Sequence, residues 1–120
     1  MTAPKIFRLF FWLLLGIILV ISLMPAGEAP TVFANDKFNH ILAFFTLSLM
    51  ARLLWWRTHV GILFVLLMAF GGGIELLQLS MGFGRHADWM DFSADLVAIL
   101  LGLLAGKLFW SLTGKRPLTE

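Results

Sequence analysis

The sequence predicts an all-α integral membrane protein, a single antiparallel bundle of four transmembrane helices spanning residues 1–120, with both termini in the cytoplasm. Three observations lead there. Of the 120 residues 60% are hydrophobic and 13% charged, with a mean hydropathy of +0.92, whereas soluble domains hold roughly 45–50% apolar and about 25% charged residues. Such a surplus would leave large apolar patches facing water, so lipid is the expected solvent. The apolar residues also fall into four runs, and at about 20 residues per span the chain has room for about four spans with only tails and turns left over. Finally, the basic residues gather at one end of those runs.

The first span is residues 7–24, an apolar run in which Arg8 is the sole charge. Pro25, Gly27 and Pro30 then disfavour helix continuation. The same stretch is compatible with a cleaved secretory signal, because Lys5 and Arg8 precede the apolar run and Ala26, Gly27 and Ala29 follow it. Residues 37–56 form the second span, with Asn35 or Asp36 placed to cap it. Arg52 falls one turn from its far end, where the side chain can snorkel to the headgroups. The third span, residues 60–79, is interrupted by Gly71, Gly72 and Gly73 and carries Glu75 and Gln78 near its end. The fourth, residues 91–112, has its acids in the first turns and Lys107 toward its close. A turn of a few residues around Thr58 and His59 joins the second and third spans, and such short turns imply antiparallel neighbours in a compact bundle.

Orientation follows from the nine Lys and Arg residues, since basic side chains are retained on the cytoplasmic side of short loops. Lys5, Arg8, Arg52, Arg57, Lys107, Lys115 and Arg116 lie on the side of the termini and only Lys37 and Arg85 lie opposite, seven against two. Six of the seven acids, Glu28, Asp36, Glu75, Asp88, Asp91 and Asp95, lie toward the outer side. The absence of cysteine excludes disulfides, thiolate nucleophiles and Cys-type zinc sites. Scattered basic residues, rather than a patch or stripe, argue against nucleic acid as a partner.

The acids and their neighbours recur at helical spacing at three helix ends. Asp36 and His40 are four apart and share a face, with Lys37 adjacent. Glu75 and Gln78 are three apart on the next helix, with Gly71 four residues before Glu75. Arg85, Asp88, Asp91 and Asp95 step by three, three and four into the fourth span, and that stripe continues as the small residues Ala98, Gly102 and Gly106, which let another backbone approach closely. A bare Glu75 carboxylate toward lipid would cost about 1–3 kcal/mol, so it is expected to face the bundle. Asp36, Glu75, Asp88, Asp91 and Asp95 against Lys37 and Arg85 leave three surplus negative charges, which repel one another unless protonated or joined by a cation. No cofactor motif is evident; a divalent cation is compatible with the acids. Glu75, Asp91 and His40 are expected to converge within about 10 Å, close enough for direct or water-bridged contact.

At these residues the chain resembles the VanZ-like family of small bacterial membrane proteins. Asp36, Lys37 and His40 match the family's first element, Glu75 and Gln78 its second, and Arg85, Asp88 and Asp91 its third, over a region from about Asp36 to Gly106. Asp95 stands where the family usually has Asn, and Ala98 where it has Gly. The resemblance implies a multi-pass protein of the bacterial inner membrane and cell envelope, in a family named for glycopeptide-resistance clusters.

Four functional classes are compatible with these residues. The leading one is an envelope protein whose outer polar pocket, formed from Asp36, Lys37, His40, Glu75, Gln78, Arg85, Asp88, Asp91 and Asp95, binds a lipid or cell-wall precursor headgroup and contributes to glycopeptide-antibiotic tolerance. Lys37 and Arg85 would meet phosphate, and the acids would meet cationic groups or a metal. The second is a metal-dependent transferase or hydrolase in which Asp36 orients His40 as a base, with His40 and Glu75 the catalytic candidates. A small, oligomeric proton-coupled transporter with Glu75 as carrier is the third. The fourth is an assembly subunit whose polar groups only lock helices together, a role favoured if Phe44 and Phe45 fill the interior. Simpler roles exist for single residues: Asp36 as a helix cap, Arg85 with Asp88 as an interfacial ion pair, and Gly102 with Gly106 as helix packing.

Overall fold

The hydropathy runs fold as four α-helices, α1 (Ala3–Leu23), α2 (Asp36–Leu54), α3 (Val60–Met81) and α4 (Trp89–Thr113). The computed structural model describes residues 3–24, 36–81 and 89–114, and the side chains of Asp36, Lys37 and Asp91 lie outside the described residues. α1 reaches back past Phe7 because Pro4 falls in its first turn, where a missing N–H breaks no intrahelical bond. α2 stops at Leu54, short of the two tryptophans. Thr58 N–H donates to the Trp55 carbonyl at 3.0 Å, turning the chain, and Arg52 Nη1 donates to the carbonyls of Trp56 at 3.0 Å and Thr58 at 3.1 Å. The arginine expected to snorkel thus caps its own helix end. His59 opens α3 by accepting the Gly61 N–H at its Nδ1, 2.9 Å away.

α1, α3 and α4 are each long and apolar enough to cross a membrane, over Lys5–Leu23, Val60–Ser80 and Phe92–Thr113, whereas the apolar stretch of α2, Phe38–Leu54, is shorter. Large apolar side chains such as Phe10, Trp12, Val65, Leu66, Leu76, Leu100 and Leu104 are exposed around the outside. Inside, Phe11, Phe44, Leu47, Leu54, Leu63, Leu67, Ile74, Ile99 and Leu103 form one buried cluster.

Consecutive helices run antiparallel. Phe11 of α1 packs on Trp55 at the far end of α2, with ring centroids 5.0 Å apart, and Phe44 of α2 packs on Phe70 of α3 at 5.9 Å. The closest pair is nevertheless α2 and α4, which run parallel across the bundle. A Cβ on Gly102 would collide with Ser48 Oγ and lie 2.6 Å from the Phe45 carbonyl, and a Cβ on Gly106 would lie 2.6 Å from Arg52 Cβ. The small stripe on α4 is therefore the surface on which α2 rests. Among the described residues α1 packs on α2 and α3 and does not reach α4.

Candidate functional site

α2 presents His40, Phe44, Ser48 and Arg52 at steps of four, one continuous face. α4 answers with Asp95, Ala98, Gly102 and Gly106, all buried. The face grades from polar to tight along its length. At its lower part Ser48 Oγ donates to the Phe44 carbonyl at 2.7 Å and stands 3.4 Å from the Ala98 carbonyl, so its hydroxyl is satisfied within the helix pair. Ser48 escapes a reading that looks only for charges. Its signal was the spacing of eight from His40.

At the upper part His40 Nδ1 lies 3.2 Å from Asp95 Oδ1, with the two side chains 10% and 1% exposed. Glu75 of α3 joins them and is 7% exposed. One ligand atom from each of the three lies within 4.8 Å of the others, so the group could hold a metal ion. Counting from the helix starts and end, His40 is four residues, Asp95 six and Glu75 six residues inside, or about 6–9 Å at 1.5 Å per residue. Three helices thus deliver their polar groups to one layer.

α3 comes close enough for this because Gly71 stands one turn before Glu75. A Cβ there would be 3.1 Å from Asp95 Oδ2 and 3.3 Å from the Phe44 ring. Of the two phenylalanines named as interior candidates, Phe44 is buried beside the polar group and Phe45 is only partly buried. The interior at this level is therefore an acid–imidazole cluster bedded on one aromatic ring.

The other expected site residues fall differently. Gln78 is buried, and its Nε2 donates to the Ser22 carbonyl of α1 at 2.8 Å. Three helical steps turn a side chain about 60° from the starting one, enough to aim Gln78 at α1 while Glu75 joins α4. The described carboxylate that meets His40 is Asp95 of another helix; Asp36, one turn earlier on the same helix, has its side chain outside the described residues, as do Lys37 and Asp91. Arg85 and Asp88 lie wholly outside the described residues. Convergence of His40 with Glu75 is thus seen, and the described third member is Asp95.

Chemically the cluster combines an imidazole with two carboxylates in a nearly dry setting. It can hold a cationic group or metal ion, and Asp95 can fix the orientation of His40 through Nδ1. Comparison of the chain with protein-family models, with curated proteins and with solved structures yields no match.

Proposed function

We propose that this chain is a multi-pass membrane protein of the bacterial cell envelope, VanZ-like in character, that binds a lipid or cell-wall precursor headgroup in a buried pocket at its outer face. The observation that carries the reading is the convergence of His40, Glu75 and Asp95 from three helices. Buried carboxylates are expensive, and a bundle held only by packing has no need of two in one layer. In this reading the exposed apolar faces meet lipid, all four helices cross the bilayer, and the shorter α2 is matched to it by the polar residues at its ends. The cluster itself takes the cationic part of the ligand, an ammonium group or a bound divalent ion. Lys37 and Arg85, the two basic residues that the sequence puts on the side opposite the termini, are the candidates for meeting a phosphate.

A second reading, an assembly subunit, draws on the bond from Gln78 to the Ser22 carbonyl, which ties helices together without any ligand. The two readings part in one experiment. Glu75→Gln and His40→Ala are made in a bacterial host carrying the gene, and sensitivity to envelope-targeting antibiotics is measured beside the melting temperature of each purified variant. Loss of the tolerance phenotype at near-normal stability supports the binding pocket. A phenotype that falls only in step with stability supports the assembly role.

A further inference from the structure

We infer that His40, Glu75 and Asp95 form a site for one divalent first-row transition-metal ion of the zinc or manganese class; the inference deepens the pocket reading and rests on it. Geometry comes first. Such ions bind nitrogen and oxygen at about 2.0–2.2 Å, so donors around one ion stand about 3–4 Å apart. The ligand atoms of the three side chains already lie within 4.8 Å of one another, and His40 Nδ1 and Asp95 Oδ1 lie at 3.2 Å. Small rotations of side chains on three fixed helices close the remainder.

The donor set then selects the ion. An imidazole nitrogen beside two carboxylates suits zinc, manganese or iron, whereas calcium calls for six to eight oxygens and magnesium keeps most of its waters. Burial sharpens the choice: two carboxylates taken out of water are stabilised most by a cation of charge two placed between them. Space is reserved as well. Gly71 places backbone where a methyl group would press on Asp95 Oδ2 at 3.1 Å and on the Phe44 ring at 3.3 Å, so α3 can bring Glu75 to the cluster without crowding the aspartate. Three protein donors leave the ion a position for a further oxygen. A phosphate of the bound headgroup supplies one, which explains how a pocket rich in acids takes an anionic ligand.

The test uses the full chain purified in detergent, stripped with a chelator and titrated separately with zinc, manganese and magnesium chloride. Calorimetry should give one zinc or manganese ion per chain with micromolar affinity and a raised melting temperature, with magnesium at least about tenfold weaker. His40→Ala, Glu75→Gln and Asp95→Asn should each weaken the zinc by at least about tenfold, and Gly73→Ala, which meets no neighbour within 4 Å, should leave it unchanged. Should a variant fail to fold, the electron paramagnetic resonance of manganese on the wild-type chain reads the site without mutation: a bound signal with nitrogen coupling supports it, and a free-ion signal overturns it. Failure of the wild type to bind zinc or manganese at about 1 mM, or equal zinc affinity in folded His40→Ala, Glu75→Gln and Asp95→Asn, also overturns the metal site. Absence of metal binding, together with loss of the tolerance phenotype in stable Glu75→Gln, removes the metal and leaves the headgroup pocket. Metal binding in the wild type with an unchanged phenotype in Glu75→Gln removes the pocket's ligand role and not the metal site.

Discussion

His40 Nδ1 and Asp95 Oδ1 meet at 3.2 Å across the interface of α2 and α4, from positions 55 apart in sequence. Asp95→Ala removes the aspartate and leaves a nearly buried imidazole nitrogen facing a void, at a cost of about 1–3 kcal/mol. Asp95→Asn retains volume and an oxygen at the same place, and should cost about 1 kcal/mol or less. Reversible unfolding in mixed detergent, followed by circular dichroism, compares the two. An asparagine as damaging as alanine would show that the contact depends on the carboxylate charge.

The α2–α4 interface predicts opposite outcomes for two glycine-to-alanine changes. Gly102→Ala places a methyl group into Ser48 Oγ and 2.6 Å from the Phe45 carbonyl, and backbone cannot give way cheaply, so the loss should be about 1–3 kcal/mol. Gly73→Ala meets nothing within 4 Å and should gain about 0.5–1 kcal/mol from helix propensity. A double-mutant cycle with Ser48→Ala should recover part of the Gly102→Ala loss, because removing the hydroxyl opens the space the methyl needs.

Arg52 closes α2 through its bonds to the Trp56 and Thr58 carbonyls. Arg52→Ala should cost about 1.5–3 kcal/mol, the range for hydrogen bonds to a charged donor. Amide hydrogen exchange should quicken in residues 55–59 before the rest of the chain. Uniformly faster exchange would mean that Arg52 matters for the whole α2–α4 interface, where Gly106 makes room for its Cβ and Cγ, rather than for the turn.

Seven basic residues on the side of the termini against two opposite are the ground for proposing that both termini lie in the cytoplasm. A reporter fused after Glu120 should be active only in its cytoplasmic form. Activity confined to the outer side would reverse the orientation and move the His40 cluster to the inner face.

The sequence made the helices legible because apolar runs and Pro or Gly breaks act locally. The helix ends are set by bonds no hydropathy pattern records, such as the Arg52 cap that follows Leu54. Glu75 and His40 were legible as members of a buried polar cluster from depth and periodicity. Asp95 was legible as the end of an acidic stripe, yet its partnership with His40 depends on which helix lies against α4. The small stripe at Ala98, Gly102 and Gly106 announced a close approach without naming α2 as its partner. Gln78 shows the limit of spacing arguments: three residues from Glu75, it points far enough around α3 to bond Ser22 of α1 instead.

An experimental density map of the wild-type protein, reconstituted in bilayer discs of bacterial lipid, tests the central claim most directly. The account predicts non-protein density within bonding distance of His40, Glu75 and Asp95 together, continuous with a headgroup at the same end of the bundle. Three side chains bonded only to one another, with no density between or above them, would contradict it and leave the cluster as a clasp between helices.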